Sequence, residues 1–337
     1  MAVDLEAELI SISVVTDEAT GRVSFSDVPQ RILPALVDTY GKQAVANAIG
    51  ASPGELEMIN TLDLGGVRPA RYLSARPDLA TRVAQIEAEG LAHATVPYFM
   101  AAINLSDEAV LGKTGAIYFV CRKGCHFCQY RHFDEGQLTP EGIAERMLAL
   151  QQAGADNIQW VSPSAYTGVL VKALALAAAD GLTLPVVHKS EGEDSLEDLR
   201  RLDGLVDMYL PDIKFIRPEA AERIGLSPEY PERMKACIRE MYRQVGPLKR
   251  QKKSSLLQGG GLMVRHLLMP NGVEEAERVL DFILELDPAL PVHIMTGYEP
   301  LHAAKDRPGI DRPVTDDEIA QVAEAAHERE LTRVLVR

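Results

Sequence analysis

Residues Ala116–Cys128 read Ala-Ile-Tyr-Phe-Val-Cys-Arg-Lys-Gly-Cys-His-Phe-Cys, an apolar run that leads directly into three closely spaced cysteines. The apolar residues Ala116–Val120 are typical of a buried strand, so the cysteines lie in the loop that follows it. Thiolates are the usual ligands of iron–sulfur clusters, and the spacing C-x3-C-x2-C suits three irons of a [4Fe–4S] cube. The remaining cysteine, Cys237, lies more than a hundred residues downstream. One iron would therefore stay open to an outside ligand.

Cys121, Cys125 and Cys128 are thus predicted metal ligands. Zinc is the competing interpretation, but the spacing has no second C-x2-C or H-x3-H half nearby. Inert thiols are the other alternative, because most isolated cysteines are unreactive. Four cysteines, three of them clustered, also make a disulfide scaffold implausible. We therefore expect a reducing compartment and a cytoplasmic protein.

The composition excludes several classes of protein. The chain has 337 residues, of which 46% are hydrophobic and 25% charged, as in ordinary globular proteins. Its formal net charge is −14, and non-specific nucleic-acid binding requires a basic surface. No apolar run reaches the ~18 residues that a membrane helix needs. We expect neither a nucleic-acid partner nor a membrane partner.

Beyond residue 114, apolar runs alternate with helical segments. The predicted strands are Ala116–Val120, Asn157–Val161, Pro185–His188, Val206–Leu210, Leu262–Leu267 and Val292–Met295. The predicted helices are Pro140–Ala153, Gly168–Ala179, Leu196–Leu202, Pro218–Ile224, Pro231–Gln244 and Val273–Leu286. This alternation indicates an α/β fold of parallel βαβ units. Six units make a partial (β/α)6 barrel of the TIM type, since closure needs eight, and ligands are expected at the carboxyl ends of the strands.

The predicted domains are a mostly helical N-terminal extension (1–110), the partial barrel (111–314) and a C-terminal helix and tail (315–337). The helix candidates of the extension are Val28–Tyr40, Gly41–Ile49, Pro53–Leu62 and Pro77–Glu89. At the other end, Asp316–Arg329 is a predicted helix, and Leu331–Val336 is an apolar tail that would cover the barrel edge.

The cysteine spacing, with the aromatic Phe127 before the third cysteine, resembles the radical S-adenosylmethionine (SAM) superfamily. From about Thr114 to Val314 the chain is similar to the branch related to the pyruvate formate-lyase activating enzyme, especially its longer uncharacterised relatives. The matching stretches occur in the family's order and are Phe127–Tyr130, Asn157–Pro163, Asp207–Lys214, Gly261–Pro270 and Ile294–Tyr298. The first hundred residues carry no such resemblance.

The resemblance implies that the amino and carboxylate groups of SAM chelate the open iron. Reductive cleavage of SAM would give a carbon radical, usually the 5′-deoxyadenosyl radical, that abstracts hydrogen from a substrate. It also implies an electron donor such as flavodoxin or ferredoxin. A small-molecule substrate is the preferred interpretation. The alternatives are transfer of a 3-amino-3-carboxypropyl group, activation of a glycyl radical enzyme, and an electron-transfer or sensor protein that uses no SAM.

The same resemblance assigns roles to residues at the strand ends. Asp212 falls on a family aspartate, Lys214 on the lysine that binds the SAM carboxylate, and Ser190 on a threonine or serine position. Phe127 would shield the cluster and approach the adenine. Tyr298 and Glu299 follow the sixth predicted strand and could face a substrate, and Tyr166, His188 and His302 are weaker candidates of the same kind.

Two loops depart from the family pattern. After the second predicted strand the wider superfamily often carries Gly-Gly-Glu for the SAM amino group, and here only the hydroxyls of Ser162 and Ser164 are available, unless they are ordinary turn residues. Lys189 stands where relatives have aspartate or asparagine. We hypothesise that its ammonium replaces a monovalent cation beside Asp212; the alternative is a surface lysine.

Arg265 and His266 are neighbours on the fifth predicted strand, so alternation points one into the barrel and the other outward. An inward arginine can bind the SAM carboxylate bidentately, and the family match favours Arg265 for this role. His266 is a candidate proton donor or ribose contact, or else a satisfied core histidine. The predicted catalytic residues are therefore Lys189, Asp212, Lys214, Arg265 and His266.

Overall fold

The computed structural model describes residues 77–92, 94–106, 108, 111–130, 136–248 and 260–337, and the backbone of 13–17 and 22–26. The helices are α1 (Pro77–Ala88), α2 (Pro140–Gln152), α3 (Thr167–Ala179), α4 (Leu196–Leu202), α5 (Pro218–Arg223), α6 (Tyr230–Val245), α7 (Val273–Leu286) and α8 (Asp316–Glu328), with a 3-10 helix at His302–Asp306. The strands are β1 (Ser13–Asp17), β2 (Arg22–Ser26), β3 (Val96–Leu105), β4 (Lys113–Phe119), β5 (Gly136–Leu138), β6 (Asn157–Val161), β7 (Val186–Lys189), β8 (Met208–Tyr209), β9 (Asp212–Ile213), β10 (Gly261–Leu262), β11 (Val264–Leu267), β12 (Val292–Met295) and β13 (Val334–Val336).

Two sheets continue into each other through two interrupted strands. Their orders are β10-β8-β7-β6-β4-β3-β5 and β13-β12-β11-β9. Strand β8 pairs with β10 and strand β9 with β11, both parallel, so each interrupted strand contributes to both sheets. From β4 to β13 the parallel strands follow chain order, with helices between them. No pairing joins β13 to β3 or β5 among the described strands, which confirms the predicted α/β partial barrel.

The predicted barrel strands are all present, with shifts of a few residues at their ends. Strand β13 adds a seventh parallel strand, where the sequence indicates only an apolar tail. Strands β1, β2, β3 and β5 are not among the predicted elements. Helix α1 confirms the candidate Pro77–Glu89, and the candidates Val28–Tyr40, Gly41–Ile49 and Pro53–Leu62 lie outside the described residues.

The chain divides into two compact units. The smaller comprises Met1–Gly66, Leu105–Gly112 and Arg250–Leu256, and the larger comprises Val67–Asn104, Lys113–Lys249 and Leu257–Arg337. All barrel strands from β4 to β13 and all eight described helices belong to the larger unit. The predicted domain boundaries after residues 110 and 314 remain predictions. Within the described ranges, no helix combines the length and apolarity that a membrane crossing requires.

The helices begin where the sequence provides capping groups. The Thr139 side chain accepts a hydrogen bond from the Gly142 N–H at the start of α2, and Pro140 occupies the first turn. The Ser195 side chain caps α4 in the same way. Both arrangements satisfy backbone N–H groups that a helix leaves unpaired at its start. The cap fixes where each helix leaves the sheet, and so where the preceding loop lies.

The buried carboxylate of Glu318, at the start of α8, accepts several hydrogen bonds. The Arg312 guanidinium donates to both oxygens of Glu318, at 2.8 and 2.9 Å. The backbone N–H groups of Asn271 and Thr315 donate to the same carboxylate at 2.6 and 2.8 Å. Although burial opposes the shift, the Arg312 hydrogen bonds and these N–H groups lower the pKa of Glu318 from 4.5 to about 2. The ionised form is therefore favoured by folding.

We expect Glu318→Gln to lower the free energy of unfolding by about 1–3 kcal/mol at neutral pH, because buried donors lose a charged acceptor. A lowered folded-state pKa means that this stabilisation is complete above pH 4.5 and is lost as the pH falls towards about 2. Denaturant unfolding at a series of pH values measures the difference. Glu324→Gln, on the exposed face of the same helix, is the control. A difference that stayed constant down to the lower end of this window would contradict the prediction.

Candidate functional site

The cysteine loop lies at the carboxyl end of β4, and the turn after α5 anchors it. The His126 backbone N–H donates to the Ile224 carbonyl oxygen at 3.1 Å. Gly225 has φ +89°, and a Cβ atom there would lie 2.8 Å from Nε2 of His126. A side chain at Gly225 would therefore be strained and would also press on the loop. Glycine lets the turn approach the cysteines closely.

The three thiols of this loop are free, and they differ in burial. Cys125 is 6% exposed, while Cys121 and Cys128 are half-buried. Burial raises the pKa of Cys121 and of Cys125 above the ordinary thiol value, and the positive charge of Lys214 opposes this at both. Cys237 lies apart on α6, where its thiol donates to the Asp194 carbonyl oxygen and burial raises its pKa to about 12.

The donor set fits an iron–sulfur cluster better than a single ion. Among the described residues, no group of three His, Cys, Asp or Glu side chains is arranged around one metal position. A cubane does not require such a group, because each thiolate binds a different iron. Three free thiols in one loop, with a lysine charge beside them, supply ligands and partial charge compensation for a cluster.

Glu191 is the residue at this site that sequence reasoning missed. It follows β7, is 9% exposed, and accepts a hydrogen bond from the Ser164 hydroxyl at 2.6 Å. Burial raises the pKa of the Cys121 thiol, and the charge of Glu191 adds to this effect. The signal in the sequence was the position of Glu191 two residues after Lys189, at a predicted strand end.

A second acidic residue of the same loop holds the cysteine loop in place. The Lys123 ammonium lies 2.5 Å from the Glu193 carboxylate, and Arg233 pairs with the same group. The Lys123 backbone N–H donates to the Cys121 sulfur at 3.3 Å. The side chain of Glu193 is 10% exposed, so this contact is sheltered from solvent screening. It links the loop after β4 to the loop after β7.

Asp212 is the centre of a cationic group formed by Lys189, Lys214 and Arg265. The register of β9 against β11 places Arg265 opposite Asp212. Arg265 Nε lies 2.8 Å from one carboxylate oxygen, and Lys214 Nζ lies 3.1 Å from the other. Burial alone would raise the pKa of Asp212, but the charges of Arg265, Lys214 and Lys189 hold it well below its usual range. The charge of Asp212 in turn raises the pKa of Lys214, against the effect of burial.

One buried hydroxyl ties these strand ends together. Tyr230, in the first turn of α6, is 1% exposed. Its hydroxyl oxygen accepts the Lys214 backbone N–H at 3.0 Å. The same hydroxyl faces the carbonyl oxygens of Asp212 at 3.2 Å and Glu191 at 3.4 Å, to which it can donate. Tyr230 therefore fixes both the cationic group and Glu191.

We expect Tyr230→Phe to lower the free energy of unfolding by about 1–3 kcal/mol, because the Lys214 N–H loses its acceptor in a buried position. Ligand binding at the strand ends should weaken as well, since two loops lose their common partner. Denaturant unfolding and calorimetric titration measure the two effects. Tyr242→Phe, whose hydroxyl donates to Asp287, is the control. Unchanged stability of Tyr230→Phe would contradict this role.

The predicted serine contacts have partners inside the protein. Ser162 has φ 58°, a conformation that non-glycine residues rarely adopt, and its N–H donates to the Lys189 carbonyl oxygen at 3.1 Å. The Ser164 hydroxyl donates a hydrogen bond to the Glu191 carboxylate. The Ser190 hydroxyl accepts the Gly192 N–H at 3.0 Å. Direct contact of these hydroxyls with SAM stays a prediction.

The aromatic candidates Phe127 and Tyr298 pack on each other, and the candidates His188 and His266 are buried. Phe127 packs edge-to-face on Tyr298, with ring centroids 5.9 Å apart. The Tyr298 hydroxyl donates to the Ile310 carbonyl oxygen at 2.7 Å. His266 is 1% exposed, its Nδ1 lies 2.8 Å from the Ile213 carbonyl oxygen, and burial lowers its pKa. His188 is fully buried and bonds to Asp194 at 2.8 Å, and its contact with a substrate stays a prediction.

Comparisons with known proteins give distant similarities. No protein-family model matches the chain. An uncharacterized protein of Methanocaldococcus jannaschii is 28% identical over 247 residues, and the match covers 68% of this chain and 66% of that protein. The match thus spans just under two thirds of the length of this relative.

Two solved structures are similar at lower identity. SuiB of Streptococcus suis bound to S-adenosylmethionine is 12% identical with a TM-score of 0.46, and the match covers 96% of this chain and 71% of SuiB. HydG, a maturase of the [FeFe]-hydrogenase, is 10% identical with a TM-score of 0.45, and the match covers 91% of this chain and 63% of HydG. At these values the comparisons assign no activity to the chain.

Proposed function

We propose that this chain is a radical SAM enzyme in which Cys121, Cys125 and Cys128 hold a [4Fe–4S] cluster. The observation that carries the proposal is the position of the three free thiols at the carboxyl edge of a parallel partial barrel. Burial raises the pKa of the Cys121 and Cys125 thiols, the negative charge of Glu191 adds to this, and the positive charge of Lys214 opposes it. Ligands of such barrels collect at this edge.

The residues around the cluster would bind and orient SAM. Lys214 and Arg265 offer positive charge to the SAM carboxylate, and Asp212 holds both side chains in position. Phe127, packed on Tyr298, offers an apolar ring beside the cluster for the adenine. When bound and reduced, such a cluster would supply the electron for cleavage of a carbon–sulfur bond of SAM. The protein contributes orientation and exclusion of water.

The proposed partners are a small-molecule substrate and a one-electron donor such as flavodoxin or ferredoxin, in the cytoplasm. The cysteine loop is only partly buried, which leaves a path for an electron to reach the cluster. Activation of a glycyl radical enzyme is the alternative with a protein substrate. Release of a 3-amino-3-carboxypropyl group is the alternative with the other carbon–sulfur bond.

The test is anaerobic reconstitution with iron and sulfide, followed by addition of SAM and a reductant. We expect iron and sulfide in a ratio near that of one cluster per chain, and 5′-deoxyadenosine as the adenosine product by mass spectrometry. Release of 5′-methylthioadenosine would instead support the 3-amino-3-carboxypropyl alternative. Cluster spectra that do not change on addition of SAM would support an electron-transfer or sensor protein and overturn the proposal.

We further expect SAM binding to be independent of the monovalent cation, because the Lys189 charge already acts on Asp212. Replacing potassium by sodium, or by a bulky organic cation at constant ionic strength, should leave the dissociation constant for SAM unchanged in a calorimetric titration. Lys189→Met removes this charge. This variant should bind SAM more tightly in the presence of potassium or sodium than in their absence. A strong cation effect in the wild-type protein would overturn the hypothesis for Lys189.

A further inference from the structure

Three aromatic rings pack together beside the cysteine loop. Phe99 lies on β3, Tyr118 lies three residues before Cys121, and Tyr130 lies two residues after Cys128. The distances between their ring centroids are 5.5, 5.4 and 5.8 Å, and the rings are tilted against one another by 32–53°. These are favourable distances for aromatic pairs. We call the group the aromatic trio.

The aromatic trio is partly open to solvent and fixed in position. Tyr130 is 39% exposed, and Phe99 and Tyr118 are half-buried. The side-chain amide of Asn104 donates a hydrogen bond to the Tyr118 hydroxyl at 2.9 Å, which holds that ring in place. Accessible apolar rings in one group favour a ligand-binding surface over a closed core.

The alternation of β4 places Tyr118 on the inner face of the barrel. A Cβ atom added at Gly115 would lie 3.0 Å from the Cβ atom of Leu150 on α2. The Phe119 ring lies 5.9 Å from the aromatic ring just before α3. Gly115 and Phe119 therefore face the helices. Ala116 and Tyr118, which alternate with them, face the interior.

A buried hydrogen-bond donor faces the same interior. Gln159 on β6 is opposite Ala116 in the parallel register, so it shares the inner face with Tyr118. It is 4% exposed, and its Nε2 has no hydrogen-bond partner among the described residues. A buried donor without an acceptor is costly, and such groups are rare in native proteins. Ala116 offers only a methyl group, so an acceptor has to come from a ligand or from water.

An aromatic surface and a buried N–H donor on one face fit a particular kind of ligand. A flat ring can stack on aromatic side chains, as nucleobases do, and a ring carbonyl oxygen can accept the hydrogen bond of Gln159. The aromatic trio and Gln159 carry no charge, which favours a neutral ring. Three protein rings present more surface than a single six-membered ring covers, so a two-ring heterocycle fits better.

We propose that the substrate of this site carries a planar two-ring heterocycle with a ring carbonyl, as oxopurines do. The ring packs on the aromatic trio, and its carbonyl oxygen accepts a hydrogen bond from Gln159. The inference rests on the proposed function, because it takes the cysteine loop as the place where the radical forms. Tyr118 and Tyr130 flank that loop in the chain, so a ring bound on them lies beside it.

The first test measures ring binding by the anaerobically reconstituted protein, saturated with SAM and not reduced. Saturation with SAM occupies the proposed adenine site, so an added nucleoside can bind only elsewhere. We expect inosine, which has a ring carbonyl, to bind roughly 10-fold more tightly than purine riboside, which lacks it. Ribose should not bind. Calorimetric titration measures the dissociation constants.

Two variants separate the ring contact from the carbonyl contact. Tyr130→Ala should bind both nucleosides about 5- to 10-fold more weakly, because a stacking surface is lost, and its iron content should equal that of the wild type. Gln159→Leu should bind inosine only as well as purine riboside. Tyr98→Leu, next to Phe99 and so on the opposite face of β3, is the control and should bind both nucleosides as the wild type does.

The second test needs no nucleoside. Thermal unfolding of the reconstituted Gln159→Leu protein should give a Tm equal to or above that of the wild type, because an unpaired buried donor is removed. Gln244→Leu is the matched control. Its Tm should fall, because the Gln244 side chain accepts the Tyr209 hydroxyl at 2.6 Å and donates to the Leu199 carbonyl oxygen at 2.7 Å.

Any of four results would overturn the inference: no binding of inosine to the SAM-saturated protein, equal affinity for inosine and purine riboside, unchanged affinities in Tyr130→Ala, or a lowered Tm of Gln159→Leu. A wild-type protein that retains no iron after reconstitution would instead overturn the proposed function. A wild-type protein that retains iron and cleaves SAM but binds no inosine would overturn this inference alone.

Discussion

Replacing Cys125 with serine should abolish iron retention and SAM cleavage together. Cys125 is the most buried of the three thiols in the loop, and a serine hydroxyl is a far weaker ligand for iron than a thiolate. The same change at Cys121 or Cys128 should also reduce the iron content to a small fraction of the wild-type value. Iron and sulfide analysis after anaerobic reconstitution, with the visible absorption of the cluster, measures the effect.

The matched control for these variants is Cys237→Ser. The Cys237 thiol donates to the Asp194 carbonyl oxygen inside the helix layer, and a serine hydroxyl can make the same hydrogen bond. Its iron content should equal that of the wild type. Retention of a full cluster by the serine variants of Cys121, Cys125 and Cys128 would remove the basis of the proposed function.

The second large effect is expected for Asp212→Asn. This change leaves Arg265 and Lys214 without the carboxylate that both contact, at 2.8 and 3.1 Å. The free energy of unfolding should fall by about 3 kcal/mol. This is the lower end of the range for a broken buried ion pair, and we choose it because the Asp212 side chain is 20% exposed. SAM binding should weaken at the same time, since the two cations that would hold the SAM carboxylate repel each other and lose their positions.

Denaturant unfolding and calorimetric titration measure the two consequences of Asp212→Asn. Asp281→Asn is the control, because the Asp281 side chain is 58% exposed and pairs with Arg329 on the outside of the protein. Exposed ion pairs contribute about 0–1 kcal/mol, so this variant should be nearly unchanged. Equal stability of Asp212→Asn and the wild type would show that the cationic group does not depend on Asp212.

Much of the fold could be predicted because its signals are local. Thr139 and Pro140 mark the start of α2. Helix caps and apolar periodicity depend on residues that are close in the sequence, so they can be recognised without the structure. Strand β3 was missed because Pro97 lies near its start, and a proline argues against a strand. Strand β13 was missed as a strand because its three residues pair with β12, which lies far from it in the sequence.

The candidate site was predictable where one stretch of sequence holds all its parts. Asp212 and Lys214 are two residues apart and form a pair. Glu191 was missed because its partner, Ser164, comes from the loop after another strand. The sequence alone did not show that Asp194 lies beside the His188 ring in the interior.

The sequence by itself determined the cysteine loop, its place after a strand, and the succession of parallel strands that brings strand ends to one edge. These follow from residue type and short-range periodicity, which depend on neighbours along the chain. Only the tertiary structure decided which groups meet at that edge: Arg265 with Asp212, Glu193 with Lys123, and Glu191 with Ser164. Strand register and loop packing set those contacts, because electrostatic energy depends on distance in space and on burial rather than on separation in sequence.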